Sequence, residues 1–359
     1  MRGCNMEFRI LDTDYKDIHV LDSFTSLIWT DRYSACGDFE IELAPTLANL
    51  VYLQQDRYIW LNDTEHTMII EDLRITSDAE TGSSLIVSGR SLESLLERRI
   101  IWVQTLLSGN LQVAIKKLLD DSIINPSDTE RKIPNFIFEP STDPVIASLT
   151  INTQFTGTNL YEAIKGICDA NEIGFKIRLS SENQFVFSLY SGVDRSYDQF
   201  ANPYVIFSPE FDNLINSNYF ASNREYKTVT LVAGEGEGLE RITEPVYNDS
   251  ESEIGLNRRE LFTDARDISS NNGEVEPEDY AEQLIQRGKS KLAENLMIRV
   301  FEGNVDTLHK FVYGVDFFMG DIVQIENEYG LEASARVTEL VRSQTVNGIE
   351  IFPTFTTIA

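Results

Sequence analysis

The glycine-rich stretch "LVAGEGEGLERI", from Leu231 to Ile242, is the part of this sequence most similar to a phosphate-binding loop. Glycines hold phosphates because bare backbone N–H groups can approach the anion, while a lysine or a helix N-terminus supplies positive charge. Here the residues between the glycines are Glu235 and Glu237, and no Lys-Ser or Lys-Thr pair follows. Two carboxylates would repel a phosphate, so the stretch predicts neither a nucleotide site nor a bound cofactor.

The flanks of this stretch favour a β-hairpin. "YKTVTLVA" (Tyr226 to Ala233) is rich in β-formers with approximate alternation, and "LERITEPVY" (Leu239 to Tyr247) can be its return strand. Between two strands, glycine permits a positive φ or a bulge. The two glutamates of the turn are expected to be exposed or at a subunit contact. The turn of this wide acidic hairpin is assigned to three glycines: Gly234, Gly236 and Gly238.

Catalytic and metal-binding motifs are missing from the sequence. The histidines are His19, His66 and His309, and none has a second ligand at zinc-site or HExxH spacing. The chain has no GxSxG nucleophile elbow. With 58 Asp and Glu residues, a carboxylate pair for glycoside hydrolysis is left open, but no pair stands out. The sequence therefore predicts no enzyme and no metal site.

Cysteine usage points to free thiols. Cys4, Cys36 and Cys168 are odd in number, scattered, and without CxxC spacing, which argues against a disulfide framework or a zinc cluster. Cys168 lies on the apolar face of a predicted helix, so we interpret it as a core residue and not as a nucleophile.

Chain length and net charge limit the number of domains and the kinds of ligand that this protein is expected to have. A chain of 359 residues is long enough for two or three domains. Its 30 Lys and Arg against 58 Asp and Glu give a net charge of −28, so its surface is not expected to bind nucleic acid or anionic lipid stably. The acids can serve solubility or line a channel. No secretion signal and no apolar run of about 18 residues occurs, so no membrane span is predicted.

The elements that carry these residues begin with a β-rich region over the first hundred residues. In "GDFEIELAP" the apolar Phe39, Ile41 and Leu43 alternate with glutamates, which predicts a half-buried strand. The Gly37-Asp38 pair before it is a candidate turn. Six short strand candidates at this spacing favour a barrel or a sandwich.

The middle and the end of the chain alternate helices with hairpins. Helices are predicted after Ser91 and over Leu111–Ile123, and a helix capped by Asn159 precedes a β-hairpin. Pro277 suits the first turn of a later helix. The chain then returns to strands, with turns predicted at Gly320-Asp321 and Asn347-Gly348. The fold class predicted is α+β and rich in strands.

Five segments together resemble one known family. They are "GDFEIELAP", "VSGRSLESLLERRII", "LVAGEGEGLERI", "MIRVFEG" and "YGVDFFMGDIVQIENEYGLEASARVTELV". They occur in the order found in the tail-hub proteins of long-tailed bacteriophages, also called tail-associated or baseplate-hub proteins, which are similar to the hubs of contractile injection machines. The resemblance covers nearly the whole chain.

The resemblance implies a homotrimeric virion protein at the distal end of the tail. Two similar β-barrel domains per chain would form a ring of six barrels that matches the hexameric tail tube or distal tail ring. Other implied partners are the tape-measure protein and adhesion or receptor-binding proteins, and the ring would enclose the passage for the genome. The implied domains are 1–104 and the discontinuous 203–262 with 297–359 as barrels, 105–202 as a helix and hairpin domain, and 263–296 as an inserted segment.

Because the chain ends shortly after its last predicted strand, no wall-cleaving module is expected. Two other functions stay open. A carbohydrate-binding adhesin would need exposed aromatic residues, whereas Trp29, Trp60 and Trp102 lie in apolar runs and are expected to be buried. A cell-wall glycan hydrolase would use two of the many acids.

Overall fold

The computed structural model describes residues 6–62, 64–78, 80, 82–214, 218–248, 254–302, 310–330, 332–346 and 348–358. Cys4, His309 and Asn347 of the sequence analysis lie outside these residues. No helix in the described part of the chain is long and apolar enough to cross a membrane.

The first β-half consists of seven strands and one short helix. Its sheet order is β3-β4-β7-β6-β5-β1-β2, and all neighbours are antiparallel. All seven strands contribute to one apolar core, in which the alternating residues Phe39, Ile41 and Leu43 are buried as predicted. The elements are β1 (Phe8–Leu11), β2 (Asp17–Leu21), β3 (Ser26–Arg32), β4 (Asp38–Leu43), α1 (Leu47–Tyr52), β5 (Tyr58–Leu61), β6 (Thr67–Asp78) and β7 (Gly82–Ser91).

The middle module follows through a 3₁₀ helix at Leu92–Arg98. Its elements are β8 (Thr105–Asn110), α2 (Leu111–Leu119), β9 (Phe136–Glu139), α3 (Pro144–Ser148), β10 (Thr150–Phe155), α4 (Leu160–Ala170), β11 (Gly174–Leu179) and β12 (Phe185–Tyr190). β8 pairs with β10, and β12 lies between β11 and β9. The Asn159 side chain accepts a hydrogen bond from the Tyr161 N–H at the start of α4, as its predicted capping role requires. Cys168 is fully buried, and burial raises the pKa of its thiol well above the usual value.

The rest of the chain holds a small module and the second β-half. Its elements are β13 (Ile206–Phe207), β14 (Asn218–Ser222), β15 (Val229–Ala233), β16 (Thr243–Tyr247), β17 (Glu260–Asp264), α5 (Pro277–Ala293), β18 (Ile298–Glu302), β19 (Ile322–Glu326), β20 (Glu332–Thr345) and β21 (Gly348–Thr357). The small module is the sheet β16-β15-β17 with α5 packed on one face. These three strands were expected in the second β-half, but in the structure they form a separate sheet and core. The module enters the chain between β14 and β18, which pair with each other.

The two β-halves form one continuous sheet of 13 strands and not two closed barrels. β3 would have to pair with β2 to close the first half, but it pairs with β20 of the second half. β20 is 14 residues long and changes partners along its length, from β19 over its first part to β3 over residues 339–344. Within the described residues no sheet closes on itself, and in the first half the edge strand needed for closure, β3, is the one that pairs with β20.

The second β-half repeats the strand order of the first. Its order β14-β18-β21-β20-β19-β13 corresponds to β3-β4-β7-β6-β5-β1. The irregularities match as well: a bulge separates Ile70 from Asp72 in β6, and another separates Val337 from Glu339 in β20. After each bulge the register runs without interruption to the hairpin end. One difference is that β1 pairs antiparallel with β5, whereas the equivalent β13 pairs parallel with β19.

Candidate functional site

The turn residues proposed from the sequence lie at three separate places in the fold. Gly37 does not adopt a positive φ. A Cβ on Gly37 would lie 2.3 Å from the Thr30 carbonyl oxygen, so the close approach of β3 requires glycine there. The Gly37 N–H donates to Ser91 Oγ at 2.8 Å. Asp38 begins β4, and its carboxylate lies 3.1 Å from Arg32 Nη1.

The glycine-rich stretch is the turn between β15 and β16, which pair antiparallel. Gly236 and Gly238 adopt positive φ values of 94° and 57°, which L side chains rarely reach. Gly234 has a different constraint, because a Cβ there would lie 2.2 Å from Tyr280 Oη on α5. The turn therefore lies against the helix.

Glu235 is half-buried within the chain, whereas Glu237 is exposed. The Glu235 carboxylate accepts hydrogen bonds from Ser270 Oγ at 2.6 Å, from the Ser270 N–H at 3.0 Å and from Ser269 Oγ at 2.7 Å. These bonds, led by the one from the Ser270 hydroxyl, hold the pKa of Glu235 below its usual value. A carboxylate of the chain itself thus occupies the donors that an anion would need.

Gly320 and Asp321 form a tight turn at the start of β19. Gly320 has a φ of 90°, and its N–H donates to the Val337 carbonyl at 2.9 Å. The first β-half has the same arrangement before β5, where Asp56 has a φ of 63° and its N–H donates to the Ile70 carbonyl at 2.9 Å. The turn is therefore part of the repeat shared by the two halves.

Asp321 is 2% exposed and binds far more than its own turn. Its carboxylate accepts from the Phe318 N–H at 3.1 Å, which is the local bond expected from sequence. It also accepts from the Val193 N–H at 2.7 Å and from Arg195 Nε at 2.8 Å. Asp321 thus fixes the segment that leaves the middle module onto the second β-half.

Tyr33 lies where the three large parts of the chain meet. It follows β3, and its ring fills the space beside two glycines: a Cβ on Gly320 would lie 2.4 Å from the ring, and one on Gly174 would lie 2.6 Å from it. Its hydroxyl donates to the Glu172 carbonyl at 3.0 Å, and the Arg336 guanidinium lies 5.3 Å from the ring centre. Burial raises the pKa of Tyr33 to about 12, so the phenol stays neutral.

The seam between β3 and β20 contains one buried ion pair and one half-buried ion pair. Asp31 is 3% exposed and pairs with Arg342, and it also accepts from Trp29 Nε1 at 3.1 Å. Next to it Arg32 Nε lies 2.7 Å from Glu339 Oε2. Removing one partner of a buried pair leaves an uncompensated charge. The seam is therefore held by specific contacts as well as by the β ladder.

Sequence reasoning missed Tyr33, Arg195 and Arg342. None has a local signature, because the hydrogen-bond or ion-pair partner of each side chain lies more than 100 residues away in the chain. Sequence reasoning also expected Trp102 to be buried, but it is 56% exposed. Its apolar run follows the 3₁₀ helix at the surface, where the Arg131 guanidinium lies 4.3 Å from the ring centre and covers one face. Trp29 is buried, as expected, and Trp60 is half-buried.

The polar side chains of this junction connect distant parts of the chain. In the described part of the chain, no group of three His, Cys, Asp or Glu side chains is placed to hold a metal ion. The polar groups of the junction bind one another. Together they hold the two β-halves and the middle module in a fixed relative position.

Comparison with known structures gives the same fold. The tail protein from Neisseria meningitidis MC58 matches with a TM-score of 0.57 at 14% identity, covering 98% of this chain and 96% of that one. The 43 kDa tail protein of prophage MuSo2 from Shewanella oneidensis matches with a TM-score of 0.58 at 14% identity over 97% and 98%. Prophage tail protein gp18 from Listeria monocytogenes EGD-e gives 0.54 at 14% identity over 98% and 94%. No curated protein sequence matches the chain.

Residues 7–355 match the sequence profile of the family described as siphovirus ReqiPepy6 Gp37-like protein. The match spans both β-halves, the middle module and the small module, so it covers the junction around Tyr33 and Asp321. The chain belongs to this siphovirus Gp37-like family and has the fold of phage tail proteins.

Proposed function

We propose that this protein is the trimeric hub at the distal end of a phage tail. Three copies would form a ring that joins the hexameric tail tube or distal tail ring to the tip and its adhesion proteins. The ring would enclose the passage for the tape-measure protein and, later, for DNA. The protein acts as an adaptor in this proposal and performs no catalysis.

The observation that carries the proposal is the repeat of the two β-halves. A hexameric tube presents six equivalent positions, whereas a trimer has only three copies of its chain. Two halves with the same strand order and matching bulges give each chain two equivalent positions. Three chains then supply six, which is how a threefold assembly can meet a sixfold one.

The contacts at the junction also support this function, because they fix the orientation of the two β-halves. Six positions on a ring keep their spacing only if the two halves of each chain hold one orientation. The continuous sheet across β3 and β20 and the buried pair of Asp31 with Arg342 provide that constraint. Tyr33 and Asp321 connect the same region to the middle module. A flexible linker between the halves would not preserve the spacing.

The experiment is the mass of the assembly alone and on its partner. Sedimentation of the purified chain should give three times the 40.8 kDa of one chain. Mixed with preassembled rings of the tail-tube or distal tail protein of the same phage, it should bind with three copies to one ring. A chain that stays monomeric in both conditions, or that binds six copies to a ring, would contradict the proposal.

A further inference from the structure

Two surfaces of the chain carry exposed aromatic side chains beside charges of a single sign. The first, the basic patch, consists of Arg98, Arg99, Arg131 and Trp102, where the 3₁₀ helix enters the middle module. Trp102 is 56% exposed, and the Arg131 guanidinium lies 4.3 Å from its ring centre. Arg98 is the last residue of the 3₁₀ helix, and Arg99 follows it directly.

The guanidinium groups of Arg99 and Arg131 bind backbone carbonyls. Arg99 donates from Nε to the Arg131 carbonyl at 2.8 Å and from Nη1 to the Arg98 carbonyl at 2.9 Å. Arg131 donates from Nη2 to the Ile100 carbonyl at 2.6 Å. Burial lowers the pKa of Arg99, and the like charges of Arg131 and Arg98 lower it further. Carbonyls orient these groups without neutralising them, and each guanidinium keeps N–H donors for a carboxylate.

The second surface, the acidic patch, lies on the second β-half and consists of Tyr197, Tyr204, Glu326 and Glu332. The two tyrosine rings meet edge to face with centres 5.6 Å apart, and the side chains are 48% and 38% exposed. The Tyr197 N–H donates to Gln324 Oε1 at 3.4 Å, which places Tyr197 over β19. Burial raises the pKa of Tyr197, and the nearby charges of Glu326 and Glu332 raise it further.

The two carboxylates of the acidic patch face each other. Glu326 ends β19 and is directly opposite Glu332, which begins β20. Like charges opposite each other destabilise a β ladder. The arginines of β20 do not neutralise them, because Arg336 pairs with Glu172 and Arg342 pairs with Asp31. Among the described residues, no ion pair includes either glutamate. The single chain therefore has uncompensated negative charge at this patch and uncompensated positive charge at the other.

We propose that the basic patch of one copy binds the acidic patch of the neighbouring copy. This contact rests on the proposed trimeric hub and names the surfaces that join its copies. Copies that each carry a net charge of −28 repel one another, so a contact between them needs opposite local charges. The two patches supply these charges. They also contain Trp, Tyr and Arg, the residue types that most often carry binding energy in interfaces.

The chemistry of the contact follows from the two clusters. A guanidinium between Glu326 and Glu332 forms charge-assisted hydrogen bonds with both and removes their mutual repulsion. The same cation is attracted to the ring of Tyr197. In the described part of the chain, no third acid, histidine or cysteine is placed to complete a metal site with these two glutamates. The patch is therefore better suited to a guanidinium than to a metal ion.

The contact joins two different surfaces, so each copy offers its basic patch to one neighbour and its acidic patch to the other. Contacts of this kind run head to tail, and they close into a ring when the rotation between copies allows it. A trimer closed in this way has three identical contacts and leaves neither patch exposed.

Exchanging the charges between the two patches tests the contact. Glu332→Arg alone and Arg131→Glu alone should each raise the protein concentration needed for half-assembly by about tenfold or more, because each places like charges across the contact. The combined variant again has opposite charges across it, and should assemble within about threefold of the wild-type concentration. Sedimentation measures assembly of the chain alone and on rings of the partner protein.

Thermal melting at concentrations where the chains are monomeric separates the contact from folding. Glu332→Arg should raise the midpoint of the single chain, because it replaces facing like charges by an opposite pair. If Arg131→Glu lowers the midpoint, Arg98→Glu gives the same exchange test from a side chain that is 46% exposed. The matched control is Glu182→Arg, which makes the same change of charge at an exposed turn and should leave assembly unchanged. EDTA should also leave assembly unchanged.

The outcomes distinguish the contact from the hub. Wild-type assembly in both single variants, an equal loss in Glu182→Arg, or a combined variant that assembles no better than the single ones would overturn the contact and leave the hub intact. Loss of the wild-type trimer in EDTA would assign the cation between the glutamates to a metal ion and overturn the contact as well. A chain that is monomeric alone and on its ring partner would overturn both.

Discussion

Replacing Asp321 by Asn should destabilise the protein far more than removing the charge of an exposed ion pair. The carboxylate is 2% exposed and accepts from Arg195 Nε and from two backbone N–H groups. Asparagine has one acceptor oxygen, and its NH₂ group would face donors. Breaking a buried ion pair by removing one partner costs about 3–5 kcal/mol.

This cost converts into a change of the thermal midpoint. Unfolding entropy is about 2.1 cal/mol/K per residue, which gives about 0.75 kcal/mol/K when the 359 residues unfold as one unit. The midpoint of Asp321→Asn should therefore fall by about 4–7 °C in scanning calorimetry. Asp17→Asn is the matched control, because it breaks an ion pair with Arg9 whose side chains are 54% and 43% exposed.

An exposed pair contributes about 0–1 kcal/mol, so the control should shift the midpoint by no more than about 1.5 °C. Equal shifts for the two variants would refute the reasoning, since burial would then have no effect on the value of the pair. An unchanged midpoint for Asp321→Asn would refute the assigned hydrogen bonds themselves.

Three further predictions concern the turns and the charge. Gly320→Ala should lower the thermal midpoint more than Gly109→Ala. Both glycines have a positive φ, but only at Gly320 would a Cβ contact a neighbour, the Tyr33 ring. Equal shifts of the midpoint would show that the ring moves aside. Because the folded-state pKa of Glu235 is lowered, its contribution to stability should be present above the ordinary glutamate pKa of about 4.3 and be lost as pH falls through the lower folded-state value. The midpoints of wild type and Glu235→Gln should thus converge in acid, and calorimetry should show no ATP or GTP affinity for either; a gap that widens in acid would contradict this sign. With a net charge of −28 per chain, the trimer should not retain DNA at about 0.15 M salt, and tight retention in a filter-binding assay would exclude an acidic passage.

The sequence predicted the faces of strands better than their partners. The alternation in "GDFEIELAP" identified Phe39, Ile41 and Leu43 as buried, because the period of side chains in a strand is local. Alternation contains no information about which strand lies beside a given edge. For that reason the sequence could not show that β3 pairs with β20, or that the two expected barrels share one open sheet.

In the candidate site, too, the local features could be predicted from the sequence, whereas the long-range contacts could not. Gly320 and Asp321 could be proposed as a turn because glycine and aspartate have known local conformational roles. Tyr33 and Arg195 could not be proposed, since their contacts depend on segments that only the folded chain brings together. The hydrogen bonds of Glu235 could not be predicted either, because Ser269 and Ser270 are more than 30 residues away in the chain.

The point where the small module enters the chain also bears on how such proteins diversify. In the first β-half the strands β3 and β4 are joined by residues 33–37, but in the second half the equivalent β14 and β18 are joined through the whole small module. Ser222 and Ile298 face each other across that pair, so the module's two ends are about 5 Å apart. A domain attached through such closely spaced ends can be exchanged during evolution, or replaced by a reporter or a ligand-binding domain, without redirecting any strand of the large sheet. The replacement domain must also cover Gln154 of β10, because this side chain contacts Gln283 of α5 in the small module.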